Sequence, residues 1–103
     1  MSVLVEFAMF PTDKGESVSA YVSRVVEMFQ KGKIPYRLTP MGTVFETETL
    51  PEALGLIEKA YEKLAPDCQR VYATAKFDIR QGASGRMERK IASIEKKIGK
   101  VAS

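Results

Sequence analysis

Glu6 is the only ionisable residue in the apolar stretch from Val3 to Phe10, and it stands near the middle. A carboxylate among apolar neighbours needs a partner, because an unpaired buried charge is costly. Two other polar groupings interrupt apolar segments. Thr39 and Thr43 flank Pro40-Met41-Gly42, and Lys76, Asp78 and Arg80 recur at every second residue before Gln81. Two chemistries fit. Glu6 can form a structural ion pair with Lys76, or Glu6 and the threonine hydroxyls can form a polar floor that hydrogen-bonds a small planar heterocycle. In the second case Phe7, Met9, Met41 and Phe45 would pack against the ligand's faces, since binding pockets combine apolar walls with a few placed polar groups.

The same inventory argues against catalysis. The chain has no histidine, so the commonest general base and metal ligand is missing. Its single cysteine, Cys68, cannot form a Cys–His nucleophile. There is no Walker-type phosphate loop and no dinucleotide fingerprint. Gly82-Ala83-Ser84-Gly85 reads as a flexible loop. A non-enzymatic protein without cofactor or metal is expected.

These side chains need a scaffold, and periodicity supplies it. Val3, Val5, Phe7 and Met9 alternate with Leu4, Glu6, Ala8 and Phe10, a strand largely apolar on both faces. Val18, Tyr21, Val22, Val25, Val26 and Phe29 recur at three and four, predicting an amphipathic helix with Gly32 as its C-cap. Ile34, Tyr36 and Leu38 form a second strand and Thr43 to Thr47 a third, separated by a turn or bulge at Pro40-Met41-Gly42. Thr49-Leu50-Pro51-Glu52 is a capping box. A second helical stripe follows from Ala53 to Leu64 and stops at Pro66. Val71, Ala73, Ala75, Phe77 and Ile79 make a fourth strand. Met87, Ile91, Ile94, Ile98 and Val101 mark a narrow stripe on a third helix.

With 103 residues, one domain spanning 1–103 is expected. The element order predicts an α+β fold, a ferredoxin-like βαββαβ sandwich with an additional C-terminal helix. Right-handed crossovers put both main helices on one sheet face, and the first strand is expected centrally, beside the strands that end the two halves. The other face then needs cover, since the first strand would otherwise expose an apolar patch. A second copy packed face to face is expected to supply it. The isoleucine stripe of the third helix either clamps a neighbour, like a two-helix seam, or packs on its own domain.

No apolar run reaches the roughly 18 residues of a membrane helix, and Ser2 to Phe10 lacks the basic leader of a signal peptide. A lone cysteine suits a reducing compartment, so a cytoplasmic location is expected. The net charge of +3 is uneven: six basic and two acidic residues lie between Arg86 and Lys100, leaving 10 basic against 11 acidic elsewhere. Such a segment usually forms a solvated helix face.

Tyr36-Arg37-Leu38-Thr39-Pro40-Met41-Gly42-Thr43-Val44-Phe45-Glu46 resembles the signature of the small thiamine-binding-protein-like family, single-domain relatives of the YkoF proteins. Thr74 to Arg80 and Met87 to Ser93 extend the resemblance, which covers nearly the whole chain. It implies a ferredoxin-like fold, dimers formed by sheet-to-sheet packing and often a dimer of dimers, a homotetramer. It also implies binding of thiamine or its hydroxymethylpyrimidine portion without turnover, for storage, delivery or sensing, with the Thr39 to Thr43 segment lining the site. Combined with the residue-level argument, the expected ligand-binding set is Glu6, Phe7, Met9, Thr39, Met41, Gly42, Thr43, Lys76 and Asp78. A cationic ligand favours a nearby carboxylate, for which Glu6, Asp78 and Glu46 are candidates.

Two alternatives have weaker support. A nucleic-acid module using the basic C-terminal helix lacks the aromatic run of RNA-recognition sheets, and Tyr72 and Phe77 fall on opposite faces. An acylphosphatase needs an arginine just after the first strand, where only Lys14 and Gly15 occur.

Overall fold

The computed structural model describes residues 1–103. Its elements are β1 (Ser2–Pro11), α1 (Ser19–Gly32), β2 (Tyr36–Thr39), β3 (Gly42–Thr47), α2 (Leu50–Leu64), β4 (Val71–Arg80) and α3 (Arg86–Ile98). The strands form one antiparallel sheet in the order β2-β3-β1-β4. This is the ferredoxin-like βαββαβ sandwich with an extra C-terminal helix. One detail differs from expectation: β1 lies between β3 and β4, not beside both strands that end the halves. The tight β2–β3 hairpin turns β3 inward and leaves β2 at the outer edge.

Strand alternation sorts β1 cleanly. Val3, Val5, Phe7 and Met9 are buried in one core with Val25 and Phe29 of α1 and Ala53, Ala60 and Leu64 of α2. Phe7, Phe29 and Phe45 form its aromatic centre, with ring centroids 5.0 to 5.8 Å apart. Leu4, Glu6, Ala8 and Phe10 point to the opposite face, over which neither α1 nor α2 packs.

Local chemistry sets the element ends. Thr49 caps α2: its Oγ1 accepts from the Glu52 N–H at 3.3 Å and donates to the Glu52 carboxylate at 2.9 Å. The C-cap of α1 is Lys33, with φ 54°, whereas Gly32 is the last helical residue. Gly32 serves another need: a Cβ there would sit 3.0 Å from Ile34 Cδ1. Pro40 and Met41 form the two-residue loop of the β2–β3 hairpin, with Thr39 paired to Gly42. The Thr39 hydroxyl closes that loop, accepting from the Met41 and Gly42 N–H groups and donating to Gly42 O. Gly42 is required by close approach, because a Cβ would lie 2.8 Å from the Phe7 carbonyl oxygen.

Candidate functional site

The nine residues expected to bind ligand divide between two faces of the sheet. Glu6, Lys76 and Asp78 share the open face, where Lys76 Nζ lies 2.9 Å from Glu6 Oε1. Both side chains are at least half exposed, so the pair is a surface contact of small energetic weight. Phe7, Met9 and Thr43 lie on the helix side, buried in or beside the core. They cannot wall a pocket whose floor is Glu6, because neighbouring strand positions point to opposite faces. Phe45, also expected as a wall, is fully buried at the aromatic centre. Thr39 is committed to its own turn, Met41 is 86% exposed at the hairpin tip, and Gly42 packs against β1 backbone.

The densest polar network lies at the other end of the open face. Glu46 projects from β3, and its Oε2 accepts from Ser2 Oγ at 2.5 Å and from the Arg86 N–H at 3.0 Å. Its Oε1 accepts from the Met87 N–H at 3.1 Å. Gly85, at the N-cap of α3, has no side chain to offer, so a carboxylate from a distant strand caps the helix instead. Burial alone would raise the Glu46 pKa, but these hydrogen bonds and the Arg86 charge hold it below the usual carboxylate value. Arg86 is buried and completes the latch. Its guanidinium donates to Ser2 Oγ and to the Ser2 and Asp78 carbonyls, and Nη1 lies 3.0 Å from Asp78 Oδ1. Asp78 also receives Lys90 at 3.2 Å, and hydrogen bonds from these two cations lower its pKa.

Beside this latch a cleft of about 700 Å³ opens between the start of α3, the end of β3, α2 and the segment joining α1 to β2. Met1, Ile34, Leu56 and Met87 give it apolar surface, while Glu46, Glu48, Glu52 and Glu88 face Lys33 and Lys59. Four carboxylates and two ammonium groups therefore line it, with Glu46 already held by the α3 N-terminus and Arg86. None of the nine expected residues lines it. Glu46 alone was legible as a candidate partner for a cation; the rest come together from segments far apart in sequence. A smaller cleft of about 300 Å³ gathers Arg80, Arg86, Arg89 and Lys90, and the basic charge of the C-terminal segment concentrates there.

Cys68 is not an activated nucleophile. Cys68 is buried, and burial raises its thiol pKa, so it is a thiol at neutral pH. No group of acidic or cysteine residues has the arrangement of a metal site. No helix is long and apolar enough to cross a membrane.

Fold and sites together define a small α+β domain with a charged, partly apolar cleft. Residues 5–95 match the family model described as thiamine-binding protein, and the chain belongs to that family. It is 33% identical over 96 residues to the UPF0045 protein Mb1933 of Mycobacterium bovis, covering 93% of this chain and 94% of that one. The solved structure of protein MJ1052 from Methanocaldococcus jannaschii superposes with a TM-score of 0.79 at 34% identity, over 90% of this chain and 95% of that one. A Thermotoga maritima structure, described as a candidate thiamine biosynthesis/salvage protein, superposes with a TM-score of 0.78 at 18% identity, over 91% and 99% of the two chains. At that identity the likeness concerns the fold. Family membership supports a small-molecule-binding role.

Proposed function

We propose that this protein binds thiamine or its hydroxymethylpyrimidine portion in the 700 Å³ cleft, without turnover, as a cytoplasmic homo-oligomer serving storage, delivery or sensing. The observation that carries the site is the cleft's combination of apolar wall and excess carboxylate, which suits a cationic heterocycle. Family membership supplies the ligand class. The lack of histidine and the buried, protonated Cys68 favour binding over catalysis, and a lone cysteine suits a reducing compartment. Half-buried Leu4, Ala8 and Phe10, with exposed Tyr72, favour a second copy on the open face, as in a dimer of dimers.

Isothermal titration calorimetry with thiamine and with hydroxymethylpyrimidine tests the reading. Saturable heat is expected, with Glu48→Gln and Glu88→Gln each weakening thiamine severalfold. No heat at millimolar ligand overturns it. The open face is the second candidate site, since the Glu6 side chain is 51% exposed there. If Glu6→Gln abolishes binding and Glu48→Gln does not, the ligand sits on the open face and not in the cleft.

A further inference from the structure

Six basic residues lie between Arg86 and Lys100, and α3 sorts them. Arg86, Arg89, Lys90 and Ser93 stand three and four positions apart, so they share one face of the helix. The chain reverses direction between β4 and α3 and brings that face beside Arg80, the last residue of β4. Gly82, at φ 70°, takes the left-handed backbone conformation that the reversal uses. These parts enclose the smaller cleft of about 300 Å³, and none of its lining residues is acidic. Lys96, Lys97 and Lys100 lie outside it.

The charges of this cleft do not balance. Asp78 is the carboxylate beside it, and it is already shared between Arg86 Nη1 at 3.0 Å and Lys90 Nζ at 3.2 Å. The other donors of Arg86 are engaged by Ser2 and by the Asp78 carbonyl. Arg80 and Arg89 are exposed and pair with no carboxylate. Four cations thus gather around one carboxylate. Like charges three and four residues apart destabilise a helix, and Arg86 stands in that relation to both Arg89 and Lys90. An anion held between them offsets the repulsion.

We propose that this cleft binds the phosphate group of a small phosphorylated molecule. A phosphate monoester carries about −1.5 to −2 charge at neutral pH and three strong acceptor oxygens. Arg80 and Arg89 offer planar forks that meet such oxygens in pairs. Lys90 adds a point charge and Ser93 a hydroxyl donor, while Arg86, its donors already engaged, contributes charge and no contact. A carboxylate ligand, with one charge and two oxygens, would leave more of these donors unmatched. The volume of about 300 Å³ is at the small end for ligand pockets, so the cleft takes the phosphate group and little of what carries it. A nucleic-acid strand is a poorer fit, because no aromatic side chain lines the cleft for a base to stack on. This site shares no lining residue with the larger cleft, and it goes beyond the thiamine reading.

The test is a nuclear magnetic resonance titration of the full chain with inorganic phosphate and with methyl phosphate, at a fixed ionic strength of about 0.15 M so that screening stays constant. Both are expected to give saturable shifts at the amides of Gly82, Ala83, Arg89 and Lys90. Arg80→Gln with Arg89→Gln is expected to raise the phosphate Kd about tenfold or more. Both side chains are exposed and unpaired, so the double variant keeps the fold. Lys96→Gln with Lys97→Gln removes the same charge outside the cleft and is expected to change Kd less than about twofold. No saturation by about 10 mM phosphate overturns the proposal. So does an equal loss in the two double variants, which would mean a diffuse basic surface. A single-stranded RNA oligonucleotide that binds more tightly than either phosphate, and depends on Lys96 and Lys97, also overturns it and assigns the segment to nucleic acid. No measurement uses thiamine, so the result is independent of that reading.

Discussion

Replacing Arg86 by methionine keeps the aliphatic stem and removes the charged fork that ties α3 to the sheet. The Arg86 side chain is 5% exposed, and its loss strips charge-assisted hydrogen bonds from the Ser2 and Asp78 carbonyls and from Ser2 Oγ. Removing one partner of a fully buried ion pair costs about 3–5 kcal/mol. Here the cost falls short of that range, because Asp78 is 55% exposed and keeps Lys90 at 3.2 Å. The larger part comes from the lost hydrogen bonds of the charged fork, at about 1.5–3 kcal/mol for bonds to a charged group. Together these give about 2–3 kcal/mol, a fall in Tm of roughly 10–20 °C for a domain of this size. Thermal and urea unfolding at one fixed protein concentration measure it, since association would otherwise shift Tm. Hydrogen exchange should show α3 amides losing protection before those of β1. Arg86→Lys should recover less than half of the loss, because an ammonium cannot reproduce the fork. A Tm within about 4 °C of the parent, or unchanged protection in α3, would refute the latch.

Gly42→Ala should destabilise by about 1–3 kcal/mol in urea unfolding, because the new Cβ meets the Phe7 carbonyl oxygen at 2.8 Å and the sheet must open to admit it. Phe29→Ala should cost about 3–5 kcal/mol by the same assay, as Phe29 is fully buried at the aromatic centre. Acid should weaken the fold through Asp67, whose hydrogen bonds from Arg24 lower its pKa from 3.8 to about 2. A depressed folded-state value means that this contribution is complete above pH 3.8 and is lost as pH falls toward 2. Asp67→Asn should therefore flatten that part of the stability profile and leave its shape at neutral pH unchanged. Ile98→Lys should change unfolding free energy by less than about 0.5 kcal/mol, since Ile98 is 74% exposed; a larger loss would mean that the end of α3 is packed against another copy in solution.

Periodicity and punctuation in the sequence determined the seven elements, because each signal is local. Alternation in β1 already separates Val3, Val5, Phe7 and Met9 from Leu4, Glu6, Ala8 and Phe10, and therefore places Phe7 and Met9 away from Glu6. The capping box at Thr49 and the turn at Pro40-Met41 are likewise read within four residues. The partner of each strand is not local. Thr43 faces the core only because it pairs with Phe7, and that register depends on how the β2–β3 hairpin docks on β1. Glu46 shows a carboxylate in a strand, but nothing nearby says that it caps a helix beginning 40 residues later. The same holds for the cleft, whose charges come from β3, α2, α3 and the segment before β2. Short-range sterics and hydrophobic period set what each segment becomes; long-range packing alone decides which charges share a surface.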